Sequence, residues 1–272
     1  MTRRYVLLTL LLIGGVMVAG IAWSVIPKTT LLKMRCEMGD AGGCINLGGM
    51  YDYGKGVKRD YPKAMDLYRK ACTRWRGESG CYHLGLMYAN GRGTMKDFFQ
   101  AVNFYRQACD GGHTAGCYNH GLMYANSEGI KQDLPKVIDY YRKGCDGGHA
   151  AGCYNLGFSY AIGLGVKQDV PHAADLYRKA CDGGEPEGCF SLGGMYKNGR
   201  GVEQNLFQAV DYYRKGCDGG ESEGCFELGL MFYGGQGVRQ SVSDALEYLG
   251  RACDLKNQNG CATYAGLKLA GK

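Results

Sequence analysis

Proline is scarce in this chain of 272 residues, with five in all, and tryptophan is scarcer, with two. Neither sign of charge dominates: 32 Lys and Arg stand against 26 Asp and Glu, a net of +6, and Arg3, Arg4 and Lys28 of that surplus sit in or beside the N-terminal segment. A nucleic-acid binder shows a stronger basic excess gathered on one face, so no nucleic-acid partner is expected. Glycine is abundant at 46 but shows no G-x-y period, which excludes a collagen-like chain. A hydrophobic fraction of 45% with 21% charged residues excludes a disordered one. The 14 cysteines lack the C-x2-C or C-x2-4-C pairs of zinc sites, so no metal or other cofactor is implied.

What is present begins with an apolar run. Arg3 and Arg4 precede an uncharged stretch from Val6 to Ile26, interrupted only by Thr9 and Ser24. A basic start before an apolar run is the pattern of an export signal, and about 21 residues are also enough to span a bilayer. Residues 1–27 are therefore read as a signal peptide, cleaved after Gly20 or Ala22, or as an uncleaved anchor. Either way the body, 28–272, is expected outside the cytoplasm, periplasmic or secreted, touching membrane only through residues 6–26 if these are kept. An even cysteine count in an exported chain reads as a disulfide framework.

Six of the seven close cysteine pairs are C-x7-C, and Cys72 and Cys81 have one residue more. Aligning the chain on the second Cys of each pair exposes a period of 36 residues, once 37, which implies a stacked repeat architecture. The unit runs G-C-[aromatic]-x-L-G-x-M-Y, a glycine loop, an Asp, then A-x-x-x-Y-R-K-[AG]-C. Cys153, Leu156, Gly157 and Tyr160 share one face of a helix A. Gly163 and Gly165 end it, and Asp169, like Asp60, Asp97 and Asp133, stands as N-cap of a helix B. Helix B buries Ala173, Leu176, Tyr177 and Ala180. Six full hairpins are expected, with a lone B-type helix before Cys36 and a lone A-type helix from Cys261.

The order L-G-x-x-Y then A-x-x-x-Y, at Leu47, Gly48, Tyr51, Ala64 and Tyr68, resembles a tetratricopeptide repeat with a longer inner loop. The variant is similar to the Sel1-like repeat. With paired Cys in every unit and an export signal, residues 31–272 resemble the Helicobacter cysteine-rich protein family. His120, Ser159 and Ser127 depart from the repeat, replacing a Leu, a Met and a loop Gly. The resemblance implies an all-α fold, an α/α superhelical solenoid of TPR-like repeats stapled by disulfides. It also implies β-lactam (penicillin) binding with weak β-lactamase activity.

Two pairings suit such a solenoid, and parity separates them. Joining Cys44 to Cys72 leaves Cys36 and Cys261 over, whereas short pairing uses all 14. The expected bridges are Cys36–Cys44, Cys72–Cys81, Cys109–Cys117, Cys145–Cys153, Cys181–Cys189, Cys217–Cys225 and Cys253–Cys261.

Catalytic residues are harder to find. No Ser has Lys three residues on, Ser243-Asp244 continues with Ala245, and K-T-G is missing, so the serine β-lactamase elements are not there. Tyr88-Ala89-Asn90 and Tyr124-Ala125-Asn126 look like Y-x-N elements but fall where the repeat places a core Tyr and a helix end. Neither H-E-x-x-H nor H-x-H-x-D occurs, and His113 and His149 stand one repeat apart, too far to share an ion. Arg69, Arg106, Arg142, Arg178 and Arg214 recur at one position and read as helix-end charges packing over aromatics. Tyr51, Tyr88, Tyr124, Tyr160 and Tyr196 are expected in the core.

Helix A retains an unused face. Steps of about 100° place the second, fifth and ninth residues after the Cys opposite the core. These are Asn46, Asn119 and Asn155; Leu86, Leu122 and Phe158; and Asn90, Asn126 and Asn198. Asn both donates to and accepts from a peptide backbone, and the apolar rung grips side chains. The expected ligand is a peptide, a protein or a peptidoglycan-like cell-wall fragment, and the alternative to an enzyme is a non-catalytic scaffold.

Overall fold

The structure, a computed structural model, describes residues 26–126 and 132–270. Every regular element among them is helical. The apolar run with its cleavage positions, and Ser127, lie outside the described residues, apart from Ile26 at the end of the run. No helix among the described residues is long and apolar enough to cross a membrane.

The chain divides into two compact units, Met1–Met95 and Lys96–Lys272. The first holds α1 (Lys28–Glu37), α2 (Ala41–Tyr53), α3 (Tyr61–Arg69), which runs on into a π-helical turn over Lys70–Arg74, and α4 (Glu78–Asn90). The second holds α5 (Phe98–Asp110), α6 (Thr114–Ala125), α7 (Leu134–Asp146), α8 (Ala150–Ile162) and α9 (Val170–Asp182). It continues with α10 (Pro186–Asn198), α11 (Leu206–Asp218), α12 (Ser222–Gly234), α13 (Val242–Asp254) and α14 (Gln258–Ala270). Within each unit helices pack chiefly on their sequence neighbours, and in the second the A-type helices α6, α8, α10 and α12 also touch in order.

The helix boundaries follow from cap chemistry. Asp60, Asp97, Asp133 and Asp169 each accept the backbone N–H three residues on, at 3.0–3.2 Å. Asn205 and Ser241 do the same for α11 and α13. Each satisfies a donor that a helix start otherwise leaves unpaired. A-type helices end on left-handed Gly54, Gly91, Gly163, Gly199 and Gly235. The exception is α6, which ends on right-handed Asn126.

The interior is built from the B-type helices' small and aromatic residues against the A-type helices' Leu and Gly. Tyr68, Tyr105, Tyr141, Tyr177 and Tyr213 are buried, as are Ala173, Leu176 and Ala180. A Cβ on Gly193 would lie 2.7 Å from the ring of Tyr213, so the crossing of α10 over α11 requires glycine there. The A-type row Tyr51, Tyr88, Tyr124, Tyr160 and Tyr196, expected in the core, is only half-buried. The reason is polar: Arg69, Arg142 and Arg178 donate to the hydroxyls of Tyr88, Tyr160 and Tyr196 at 3.3–3.4 Å, which holds the ring tips at the surface. Arg142, Arg178 and Arg214 also pair with Asp139, Asp175 and Asp211, so these members of the basic row are engaged within the fold.

Seven disulfides join Cys36–Cys44, Cys72–Cys81, Cys109–Cys117, Cys145–Cys153, Cys181–Cys189, Cys217–Cys225 and Cys253–Cys261. Each ties the end of a B-type helix to the first turn of the next A-type helix, with Cα atoms 4.4–4.7 Å apart. No free cysteine occurs among the described residues. So many bridges belong to an oxidising, extracytoplasmic setting.

Candidate functional site

The exposed side of the A-type row in the second unit carries two neighbouring depressions. The first, about 290 Å³, lies among Leu122, Asn126, Tyr141, Asn155, Phe158 and Leu164. The second, about 340 Å³, lies among Tyr154, Phe158, Ile162, Tyr177, Ser191 and Arg200. They are the same feature one repeat apart. Shifting Leu122, Asn126, Tyr141, Asn155 and Leu164 by 36 residues gives Phe158, Ile162, Tyr177, Ser191 and Arg200. Phe158 is the wall they share, and it is 45% exposed.

Local structure fixes these side chains. Asn155 is half-buried and its Nδ2 donates to the Tyr118 hydroxyl at 3.4 Å. Tyr118 in turn stacks on His149, ring centroids 4.6 Å apart. Burial raises the Tyr118 phenol above its ordinary pKa, so it is a neutral partner for the amide. Gly194 replaces Phe158 at the next rung and opens the floor of the second depression.

The other residues singled out from the sequence are placed as follows. Asn119 is half-buried on α6, one repeat before Asn155, and lines neither depression. Asn126 lines the first depression and Asn198 the second, and Asn198 donates to its own helix at Gly194 O, 2.8 Å. Asn46, Leu86 and Asn90 belong to the first unit, where Asn90 donates to Leu86 O at 2.8 Å. That internal bond accounts for the Y-x-N sequence as a helix end. Tyr154, Ser191 and Arg200 line the second depression without having been singled out. The 36-residue shift applied to the residues of the first depression would have found Ser191 and Arg200.

His113 and His149 prove to be N-caps, accepting the N–H of Gly116 and Gly152 through Nδ1 at 3.1 and 3.3 Å. An imidazole can accept there only while neutral. Burial, with the nearby His113, holds His149 below its usual pKa. Glu185 and Glu221 precede α10 and α12 at the equivalent positions. Burial raises both carboxyls, helped at Glu185 by the hydrogen bond and charge of Glu187 and at Glu221 by the charges of Glu187 and Glu223. No group of His, Cys, Asp and Glu among the described residues is arranged to hold a metal ion.

Tandem α/α hairpins, joined by local disulfides and presenting two depressions one repeat apart, define a helical-repeat protein. The Sel1 repeat pattern matches residues 41–74, 79–113, 114–149, 150–185, 186–221 and 222–257, and the chain belongs to the Sel1 repeat family. Among solved structures, it is similar to a protective antigen of uropathogenic Escherichia coli with an SLR fold. That match has 31% identity and a TM-score of 0.83 over 89% of this chain and 52% of that one. The chain thus spans about half the length of that antigen. A Sel1 repeat protein from Oxalobacter formigenes is 27% identical, with a TM-score of 0.75 over 84% of this chain and 94% of that one. Helicobacter pylori cysteine rich protein B is 32% identical over 49% of this chain and 96% of that one, at a TM-score of 0.41. A search of curated proteins returned no match.

Proposed function

We propose that the second unit binds an extended peptide along its A-type row, acting as an extracytoplasmic interaction scaffold. The observation that carries this is the pair of repeat-related depressions divided by Phe158. Packed helices of adjacent repeats lie about 10 Å apart. A peptide in the polyproline II conformation advances about 9 Å in three residues and returns side chains to the same face. Residues i and i+3 of such a ligand therefore fill the two depressions, and Asn155 hydrogen-bonds the backbone between them. Asn119 extends the run by one repeat toward the N-terminus. The second depression has Arg200 where the first has Leu164, so it favours an acidic or carboxy-terminal residue.

The test is selection of displayed peptides on the oxidised full chain, followed by titration of a selected sequence. Selected peptides should share an apolar residue for the first depression and, three positions away, an acidic or carboxy-terminal residue for the second. Phe158→Ala should weaken binding at least tenfold, and Asn155→Ala should cost about 1 kcal/mol. No enrichment, or binding indifferent to Phe158→Ala, overturns the proposal.

The second reading is β-lactam binding with weak hydrolysis, which the resemblance carried by the paired cysteines of every unit implies. Chromogenic cephalosporin turnover, followed by mass spectrometry for an acyl adduct, tests it. Absence of both sinks it. Export, with or without retention of the N-terminal segment as an anchor, is likewise proposed, and is tested by cell fractionation with N-terminal sequencing.

A further inference from the structure

A cavity also lies in the first unit and shares no lining residue with the peptide face. It encloses about 550 Å³ between α1, α2 and α3. Its origin is the one place where the repeat runs to 37 residues, the segment Cys72-Thr73-Arg74-Trp75-Arg76-Gly77-Glu78-Ser79-Gly80-Cys81. There α3 widens into the π-helical turn Lys70–Arg74, and Arg76 takes a left-handed φ of 50°. Widened turns of this kind are frequent at functional sites. The added length brings Trp75 against the buried cluster of Cys36, Cys44 and Ala71. A Cβ on Gly39 would meet the indole at 3.1 Å, so glycine there leaves the ring its place.

The walls are apolar: Cys36, Leu47, Tyr51, Pro62, Leu67 and Trp75. The remaining lining is charged and mostly basic, with Lys33, Lys63, Lys70 and Arg74 against Glu37 and Asp66. Lys33 and Lys70 are paired with Glu37 and Asp66 at 4.0 and 3.1 Å, and Lys63 with Asp60 at 3.0 Å. These are exposed pairs, which water and salt loosen. Arg74 has no ion pair among the described residues and lies over the Trp75 ring, 5.0 Å from its centroid. A cavity of this volume is the size of a drug-like ligand site, in which apolar walls supply affinity and a few charges fix orientation.

We infer that this cavity is a binding site for a small anionic amphiphile, its apolar body among Leu47, Leu67 and Trp75 and its carboxylate at Arg74 and Lys33. The site is independent of the peptide reading and uses none of its residues.

The probe is dodecanoate, with dodecanol as the uncharged arm. Both are titrated into the oxidised full chain carrying Trp23→Phe, so that Trp75 is the indole reporting, with calorimetry for stoichiometry. One dodecanoate should bind per chain with a saturable change in Trp75 emission, and dodecanol should bind at least tenfold more weakly. Lys33→Gln with Arg74→Gln should cost dodecanoate about tenfold while leaving dodecanol unchanged, and a thermal melt confirms that this exposed pair leaves the fold intact. Trp75→Ala should weaken both ligands. Phe158→Ala should weaken neither, which keeps this outcome separate from that of the peptide test. Equal affinity for the two ligands, indifference to the Lys33 and Arg74 changes, or several equivalents adsorbed per chain overturns the inference.

Discussion

His120 stands where the other repeats carry Leu, and at 1% exposure neither ring nitrogen has a hydrogen-bond partner. Tyr140 and Tyr124 contact its ring edge-on, and Arg106, Asp110 and Lys143 supply the nearest charges. Burial pulls its pKa from 6.5 down to about 4, with Arg106 acting in the same direction. The fold therefore holds the neutral imidazole, while the unfolded chain takes up its proton near pH 6.5. Stability from this site is complete above that pH and is lost as pH falls toward 4, an effect of order 3 kcal/mol. Urea denaturation at pH 7.5 and pH 5 should show the loss in the wild type. His120→Leu should remove most of it, and an unchanged pH dependence would place the acid sensitivity elsewhere. His149 adds to the same trend, since its lowered pKa and its cap on α8 both require the neutral ring.

At the level of helices, glycine does two opposite things. Gly193 is at a crossing, where an added methyl would meet Tyr213 at 2.7 Å, while Gly266 on α14 faces nothing within 4 Å. Gly193→Ala should therefore destabilise by about 1–3 kcal/mol. Gly266→Ala should stabilise by up to about 1 kcal/mol through helix propensity. Equal effects in chemical denaturation would refute the close-approach account. Helix starts were legible in the sequence because Asp60, Asp97, Asp133 and Asp169 act locally, on an amide three residues away. The half-buried A-type tyrosines were not, because what keeps them outward is an Arg 18 or 19 residues earlier in the chain. The face of helix A was legible as a period, which brought out Leu122, Asn126, Asn155 and Phe158. Its depressions were not, since Tyr141 and Leu164 reach the first from a neighbouring helix and a loop. The cavity around Trp75 was hidden for the same reason: an insertion is visible in a sequence, but a widened helical turn is not.

For the whole chain the decisive feature is that all seven bridges are local, each spanning eight or nine residues. Closing so short a loop stabilises by about 2.5 kcal/mol on the chain-entropy model. Replacing Cys145 and Cys153 together by Ser should cost about that much, measured as a lower denaturation midpoint. Full reduction should lower the melting temperature far more, and an unchanged melt would mean that helix packing suffices alone. The order of the bridges along the chain has a further consequence for biogenesis. No bridge encloses another, and every cysteine is joined to its immediate neighbour in the series. A polypeptide entering an oxidising compartment amino end first would present each thiol just before its proper mate. First-come pairing is then correct pairing, and the chain can mature with an oxidase alone, without an isomerase to unpick errors.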